Sequence, residues 1–234
     1  MPLPTVLPPA LFVTGTDTEI GKTAASTALL HALRRRGLRA VGMKPVASGS
    51  HDLGEGLRND DALALQAASD PVPAYADLNP YALRQPLAPE LAAAEDGVQV
   101  QLAPIVAAFE RLRATADTVV VEGVGGWMAP LSAELDQLDL VRALRLPVVL
   151  VVGLRLGCVN HARLTAQSLQ AAGVECLGWI GNHIDPAMQR QHENMATLVQ
   201  RLPMPCWGRL PHLRGADGRT LSQHLGAEQR AGQR

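Results

Sequence analysis

The chain has 234 residues, 47% hydrophobic and 18% charged, with 21 Lys+Arg against 22 Asp+Glu for a formal charge of -1. This is the composition of a globular protein rather than a disordered chain, and so balanced a charge argues against non-specific nucleic-acid binding, which needs a basic surface. Aromatic residues are only 3%, too few for a base-stacking platform.

At about 150 residues per domain the length allows one or two domains. No repeat, low-complexity tract or linker interrupts the chain, so residues 1–234 read as a single domain. The start, MPLPTVLPPALF, is apolar but carries Pro2, Pro4, Pro8 and Pro9 and no early Lys or Arg, unlike a signal peptide. Ala10 to Thr14 reads as a buried strand. Thr23 to Arg36 reads as a helix whose Ala25, Ala28, Leu29, Ala32 and Leu33 share one face. Arg34 to Arg36 favour the dipole at its end, and Gly37 is a candidate to terminate it.

Arg39 to Met43 is a second strand. Ala47 to Gly56 reads as a loop, Asp60 to Ser69 as a helix, and Asp70 to Glu90 as another loop. A helix over Ala103 to Ala116 precedes a strand over Thr118 to Glu122. A strand over Pro147 to Gly153 precedes a helix over Asn160 to Ala172. Leu177 to Gly181 is a fifth strand, Pro186 to Leu202 a helix, and Trp207 to Leu210 a short last strand. Continuous Val/Leu runs indicate strands buried on both faces, and their alternation with helices indicates a parallel sheet. The expected fold is therefore α/β, a doubly wound, mostly parallel sheet. Residues Arg214 to Arg234 are polar and read as a loosely ordered tail of unknown role. Leu146 to Leu154, the longest strongly apolar stretch, falls short of the roughly 18 residues a membrane helix needs. Cys158, Cys176 and Cys206 form no CxxC, so neither a disulfide framework nor a zinc site is expected and a reducing, cytoplasmic setting fits. Trp127 and Trp179 read as core, and the seven histidines, without HxxxH or HExxH spacing, as surface or packing residues.

The strongest motif is Gly15-Thr16-Asp17-Thr18-Glu19-Ile20-Gly21-Lys22-Thr23. It joins a predicted strand to a predicted helix, the setting of a phosphate loop of the P-loop NTPase type. Glycines let the backbone approach phosphate, and successive N–H groups form an anion nest at the helix start. Lys22 is placed to meet the β- and γ-phosphates and Thr23 to offer its hydroxyl to Mg²⁺. Five residues separate Gly15 from Gly21 where the common loop has four, so the tip carries Thr18 and Glu19.

Ligands of an open parallel sheet bind beyond the carboxyl ends of its strands. Those ends carry Lys44 to Gly49, Glu122 to Gly126, Gly153 with the run Leu156 to His161, and Asn182. Glu122 closes a Val-rich strand, as a Walker-B-like acid does. Asp60 and Asp61 open a helix, either as an N-cap or as a second metal carboxylate. Lys44 either holds an anionic intermediate or snorkels to solvent. Cys158 to Asn160 precede a helix, as a plain cap or as a carboxylate site.

Taken together, GTDTEIGKT, MKPVASGS, EGLRNDDALALQ, VVEGVGGWMAPL and LPVVLVVGLRLGCVNHARLTAQ resemble the dethiobiotin synthetase family, in that family's order and spacing, from about Leu11 to Leu213. The resemblance implies an ATP- and Mg²⁺-dependent ligase that closes a cyclic urea from 7,8-diaminopelargonate and CO₂, releasing ADP and phosphate. One amine captures CO₂ as a carbamate, ATP phosphorylates it, and the second amine expels phosphate from the carbamic–phosphoric anhydride. It implies phosphate contacts at Glu19, Ile20, Gly21, Lys22, Thr23 and Ala24, and Mg²⁺ ligands at Thr23, Asp61 and Glu122. Lys44 matches the catalytic lysine, with Lys22 and Thr18 beside it, and Thr18 and Ser48 match substrate contacts. Glu122, Gly123, Val124 and Gly125 lie along the nucleotide. Asn182, His183, Pro211, His212 and Leu213 match the adenine side. Gly157, Cys158, Val159 and Asn160 match the helix start that receives the substrate carboxylate from the neighbouring subunit of a homodimer. The sequence departs from the common pattern at Val124, often alanine, at Asp60, an added acid, and at His183, often acidic.

Two other functions use the same loop class. ParA/MinD-like ATPase switches usually carry an early loop lysine, where this chain has Thr16, Asp17 and Thr18. Cobyrinate-type amide synthetases usually carry a glutaminase domain, for which this chain has no room.

Overall fold

A computed structural model describes residues 3–226. In chain order the elements are β1 (Ala10–Gly15), α1 (Lys22–Arg34), β2 (Ala40–Met43), β3 (Val46–Ser48), β4 (His51–Asp52), β5 (Leu57–Arg58), α2 (Asp60–Ala68), α3 (Tyr75–Leu78), β6 (Tyr81–Leu83), α4 (Pro89–Glu95), α5 (Leu102–Thr115), β7 (Thr118–Glu122), α6 (Gln137–Leu144), β8 (Val148–Gly153), α7 (Cys158–Ala171), β9 (Cys176–Asn182), α8 (Gln191–Arg201), β10 (Cys206–Leu210) and α9 (Gly218–Leu221). Six strands form the main sheet in the order β10-β9-β8-β1-β7-β2, and every neighbouring pair is parallel. The expected doubly wound α/β sheet is thus present, with β1 at its centre.

Side chains alternate across each strand, so β1 sends Leu11 and Val13 to one face and Ala10 and Phe12 to the other. Leu29 and Leu33 of α1, Leu65 of α2 and Leu221 of α9 cover the first face. Ile105 and Phe109 of α5 and Leu140 and Leu144 of α6 cover the second. Ala162 of α7 and Leu198 of α8 pack the β8–β9 end of the sheet around Trp179. Trp127 and Trp179 are core residues, as expected.

Four expectations are corrected. The stretches expected as loops over 47–56 and 70–90 include β4, which pairs antiparallel with β5 just beyond, the helix α3, and β6, which pairs parallel with β3. Helix α6 was not foreseen; its signal was a capping box, with the Asp139 carboxylate accepting from the Asp136 N–H at 2.9 Å. The helix expected from Pro186 starts at Gln191, because Asp185 folds the chain into a turn through the Ala187 N–H and Arg190 takes φ 54. The polar C-terminal stretch is not loose over its described part. There Leu221 and Leu225 are buried in the same cluster as Leu29, and the Arg35 guanidinium donates to the Ser222 carbonyl at 2.8 Å. Residues 227–234 of that tail lie outside the described residues.

Candidate active site

The phosphate loop leaves the central strand β1 and enters α1, with Gly21 at φ 79. A side chain at Gly21 would collide with the Asn182 amide. That amide comes from the end of β9 and donates to the Ile20 carbonyl at 2.9 Å. Asn182, expected on the adenine side, therefore braces the loop from below. Thr18 and Glu19 form the exposed tip, and Glu19 takes φ 56. The Asp17 carboxylate accepts from the Thr18 N–H at 2.8 Å and pairs with Arg155 at 2.5 Å, tying the tip to the segment before α7.

Lys22 is buried and its ammonium donates to the Asp17 carbonyl at 3.1 Å. Burial, then repulsion from Lys44, bring its pKa down to about 8. Lys44, past the end of β2, donates to Glu122 Oε1 at 2.7 Å, Asp61 Oδ2 at 3.0 Å and the Gly123 carbonyl at 3.3 Å. It does not snorkel: only 3% of its side chain is exposed. Burial alone would lower its pKa, but Glu122 and Asp61 outweigh that and raise it. Burial pushes the Asp61 carboxyl up, but Lys44 leads the interactions that hold it below the usual range.

Thr23, Asp61 and Glu122 meet around the same point. The Thr23 hydroxyl donates to Glu122 Oε1 at 2.8 Å, and Glu122 Oε2 is buried without a partner among the described residues. One hydroxyl and two carboxylates form an oxygen-only donor set with a free buried lone pair. This fits a hard cation such as Mg²⁺, which takes few protein ligands and shares phosphate oxygens. It does not suit a soft metal, because no Cys or His belongs to it.

The structure also separates Asp60 from Asp61. The N-cap of α2 is Asn59, whose side-chain oxygen accepts from the N–H groups of Asp61 and Ala62 at 3.0 and 3.3 Å. Asp60 points away and is exposed, whereas Asp61 lines the cavity with Lys44. Asn59 also donates to the Ser48 carbonyl at 3.0 Å, and its own N–H donates to the Tyr75 hydroxyl at 2.8 Å. Tyr75 donates to Asn79 at 3.0 Å, and Asn79 donates to the Lys44 carbonyl at 2.6 Å. One chain of side-chain hydrogen bonds thus sets Ser48, Asp61 and Lys44 together. Sequence reasoning missed Asn59, Tyr75 and Asn79; only the asparagine two residues before Asp61 offered a signal, as a cap.

These groups open into a cavity of about 710 Å³, lined by Thr18, Glu19, Gly21, Lys22, Thr23, Lys44, Ser48, Asp61, Val124, Gly125 and Ala129. One wall, Pro86 to Pro89, is apolar and was also missed, since the sequence reads there as a plain proline-rich loop. Gly123 lies outside the lining but packs against the Phe12 ring and Gln137, where a side chain would collide. Ile20 is buried in the core, and Ala24 packs against it from the first turn of α1.

Two sets of expected residues stand apart from this cavity. His183, Pro211 and His212 line a separate hollow of about 380 Å³ with Gln191, Arg209 and His224, and Leu213 follows them, exposed. Burial and the neighbouring Arg209 cation lower the His183 pKa to about 4. Gly157 to Asn160 sit at the N-terminus of α7, outside the 710 Å³ cavity of this chain. Cys158 is buried in the core there, and burial raises its thiol pKa; Cys176 and Cys206 are likewise unpaired.

Comparison with known proteins gives three results. The family model of the AAA domain matches residues 9–220. The chain is 67% identical over 218 residues to an ATP-dependent dethiobiotin synthetase of Xanthomonas oryzae pv. oryzae, covering 93% of this chain and 97% of the relative. It is 69% identical over 217 residues to the one from Xanthomonas euvesicatoria pv. vesicatoria, with the same coverage, and 63% identical to that of Xylella fastidiosa, covering 92% and 96%. Among solved structures, the MinD cell division protein of Aquifex aeolicus matches with TM-score 0.55 at 11% identity, over 93% of this chain and 88% of that one. Cell division protein FtsY of Thermotoga maritima matches with TM-score 0.53 at 16% identity, over 97% and 71%. At such identities the last two show likeness of fold alone.

Proposed function

Because this chain belongs to the dethiobiotin synthetases, ATP-dependent ligases of biotin biosynthesis, we propose that its site closes the ureido ring of dethiobiotin from 7,8-diaminopelargonate and CO₂ with ATP. One observation carries this assignment of roles. Lys22, Lys44, Thr23 and Asp61 line one cavity with the tip of the phosphate loop and an apolar wall, and the buried Glu122 stands behind it, accepting from both Thr23 and Lys44.

In this reading the backbone N–H groups of Glu19 to Ala24 hold the ATP phosphates, and Lys22 meets the β- and γ-oxygens. Thr23, Asp61 and Glu122 would hold Mg²⁺, which when bound neutralises phosphate charge. Lys44 sits where negative charge collects on the carbamate and the transferring phosphoryl group, and phosphoryl transfer depends on such neutralisation more than on covalent help. Thr18 and Ser48 orient the two amines, while Pro86 to Pro89 take the aliphatic chain and exclude water. Held in this way, the second amine attacks the carbamic–phosphoric anhydride as an intramolecular nucleophile, and positioning of that kind is worth about 7–11 kcal/mol. Gly123, Val124 and Gly125 run beside the nucleotide. Its adenine reaches toward Asn182, His183 and Pro211 to Leu213.

The substrate carboxylate falls to Gly157, Cys158, Val159 and Asn160 of a second copy. Those residues lie outside the cavity of their own chain, and the exposed Leu156 and Leu164 border them. The active form is accordingly a homodimer. Its three unpaired cysteines go with a reducing, cytoplasmic setting. No helix among the described residues is long and apolar enough to cross a membrane.

The deciding experiment follows ADP release from Mg²⁺-ATP and bicarbonate with and without 7,8-diaminopelargonate, with mass detection of product. Diamine-dependent ADP and a cyclic urea of matching mass are expected. Diamine-independent hydrolysis would instead point to an ATPase switch.

A further inference from the structure

The phosphate loop opens α1, and a second cavity closes it. Thirteen residues of helix separate the two by about 20 Å. The second cavity, of about 440 Å³, is lined by His31, Arg34, Arg35, Arg39, Asp70 and Arg219, with Gly37 and Leu38 at the turn. Four guanidinium groups and one carboxylate therefore face one hollow, and nothing in the ATP chemistry uses them.

Arg39 and Arg34 are each paired with a carboxylate, whereas Arg35 is held by a backbone carbonyl. Arg34 donates to the Ala68 carbonyl at 2.9 Å, and Arg35 donates to the Ser222 carbonyl at 2.8 Å. Asp70 stands 3.6 Å from Arg34 with 65% of its side chain exposed. Asp117 answers Arg39 at 2.7 Å. Arg35 and Arg219 have no carboxylate within ion-pair distance among the described residues. The negative end of the α1 dipole disfavours an anion here, so the guanidinium groups must outweigh it; the Leu33 and Arg34 carbonyls are already capped by the N–H groups of Arg36 and Gly37 at 2.9 Å. The His31 imidazole responds to the surrounding charge: burial first, then Arg34 and Arg219, lower its pKa, against Asp217.

We propose that this cavity is a second anion site, for a small soluble molecule carrying phosphate. Planar guanidinium forks match phosphate oxygens two at a time, and pre-oriented arginines lose little side-chain freedom on binding. The ligand would bridge the end of α1, the start of β2 and α9, so it would also clamp the C-terminal segment onto α1. The proposal is independent of the ureido-ring assignment.

Inorganic pyrophosphate is the probe, titrated into the full-length ¹⁵N-labelled protein at constant ionic strength. The Gly37 amide reports the new site and the Gly21 amide the phosphate loop. Saturable shifts at both are expected. Arg219→Gln, at an exposed position, should weaken the Gly37 response at least fivefold and spare Gly21. Lys22→Ala should do the reverse. Shifts confined to Gly21, or a Gly37 response unchanged in Arg219→Gln, would overturn the site. Arg39→Gln gives a second variant for the same comparison.

Discussion

The Lys44 ammonium lies 2.7 Å from the Glu122 carboxylate, with 3% and 0% of the two side chains exposed. An ion pair so buried contributes little net stability while intact, yet removing one partner strands a charge at a cost of about 3–5 kcal/mol. Lys44→Met should therefore lower urea-unfolding stability by about that amount and cut kcat at least a hundredfold. Restoring most of the stability by adding Glu122→Gln, without restoring activity, would separate the structural role from the chemical one. A single Lys44→Met variant as stable as the parent would contradict the pairing.

Lys22 is the first residue of α1 and lines the same cavity. By comparison with lost oxyanion donors, Lys22→Ala should cost about 2.7–4 kcal/mol of transition-state stabilisation, roughly a hundredfold or more in ATP turnover. Steady-state ADP release measures it, and a near-normal kcat would reject the phosphate-loop assignment.

Cation binding by Thr23, Asp61 and Glu122 predicts a specific shift. Asp61→Asn should raise the Mg²⁺ concentration for half-maximal activity at least tenfold, and EDTA should abolish turnover. Direct Mn²⁺ binding, followed by its paramagnetic relaxation of water, should weaken in parallel. Unchanged Mn²⁺ affinity would remove Asp61 from the ligand set.

Asn59 caps α2 and ties it to Ser48. Asn59→Ala should lose about 0.5–2 kcal/mol of stability as a cap. Because the same side chain places Asp61, the variant should also show a raised Mg²⁺ requirement. A stability loss with no change in Mg²⁺ dependence would leave Asn59 a cap only.

His183 is held neutral in the folded chain, at about 4 against an ordinary 6.5, by burial and Arg209. Protons then bind the unfolded chain first as pH falls. Its contribution is complete above pH 6.5 and is lost between 6.5 and 4. The melting temperature of the parent should fall more steeply across that window than that of His183→Asn. Parallel curves would count against the shift.

The cross-subunit carboxylate site makes activity depend on association. Sedimentation at assay concentration should find a dimer, and a fully active monomer would exclude a shared site.

Much of this protein was legible one residue at a time. Val-rich runs such as Thr118 to Glu122 form strands because their side chains are apolar on both faces, and a GKT after a strand starts a helix because its local backbone chemistry requires it. Those signals are short-range, and they located the sheet, the loop and the acid at the strand end. Helix α6 was within reach as well, through Asp136 and Asp139. What no local pattern contained was the identity of neighbours across the fold. Asp61 and Lys44 are 17 residues apart, and Glu122 lies 78 residues beyond Lys44; the pairing of β2 with β7 and the packing of α2 bring the three within hydrogen-bond reach. The same holds for the Asn59–Tyr75–Asn79 chain, for the wall of Pro86 to Pro89, and for Arg219 reaching the end of α1. Strand propensity and helix caps depend on adjacent residues, whereas a buried ion pair or a cavity depends on packing between distant ones. The parts list was therefore written in the sequence, and the charges that face one another were decided by the tertiary structure.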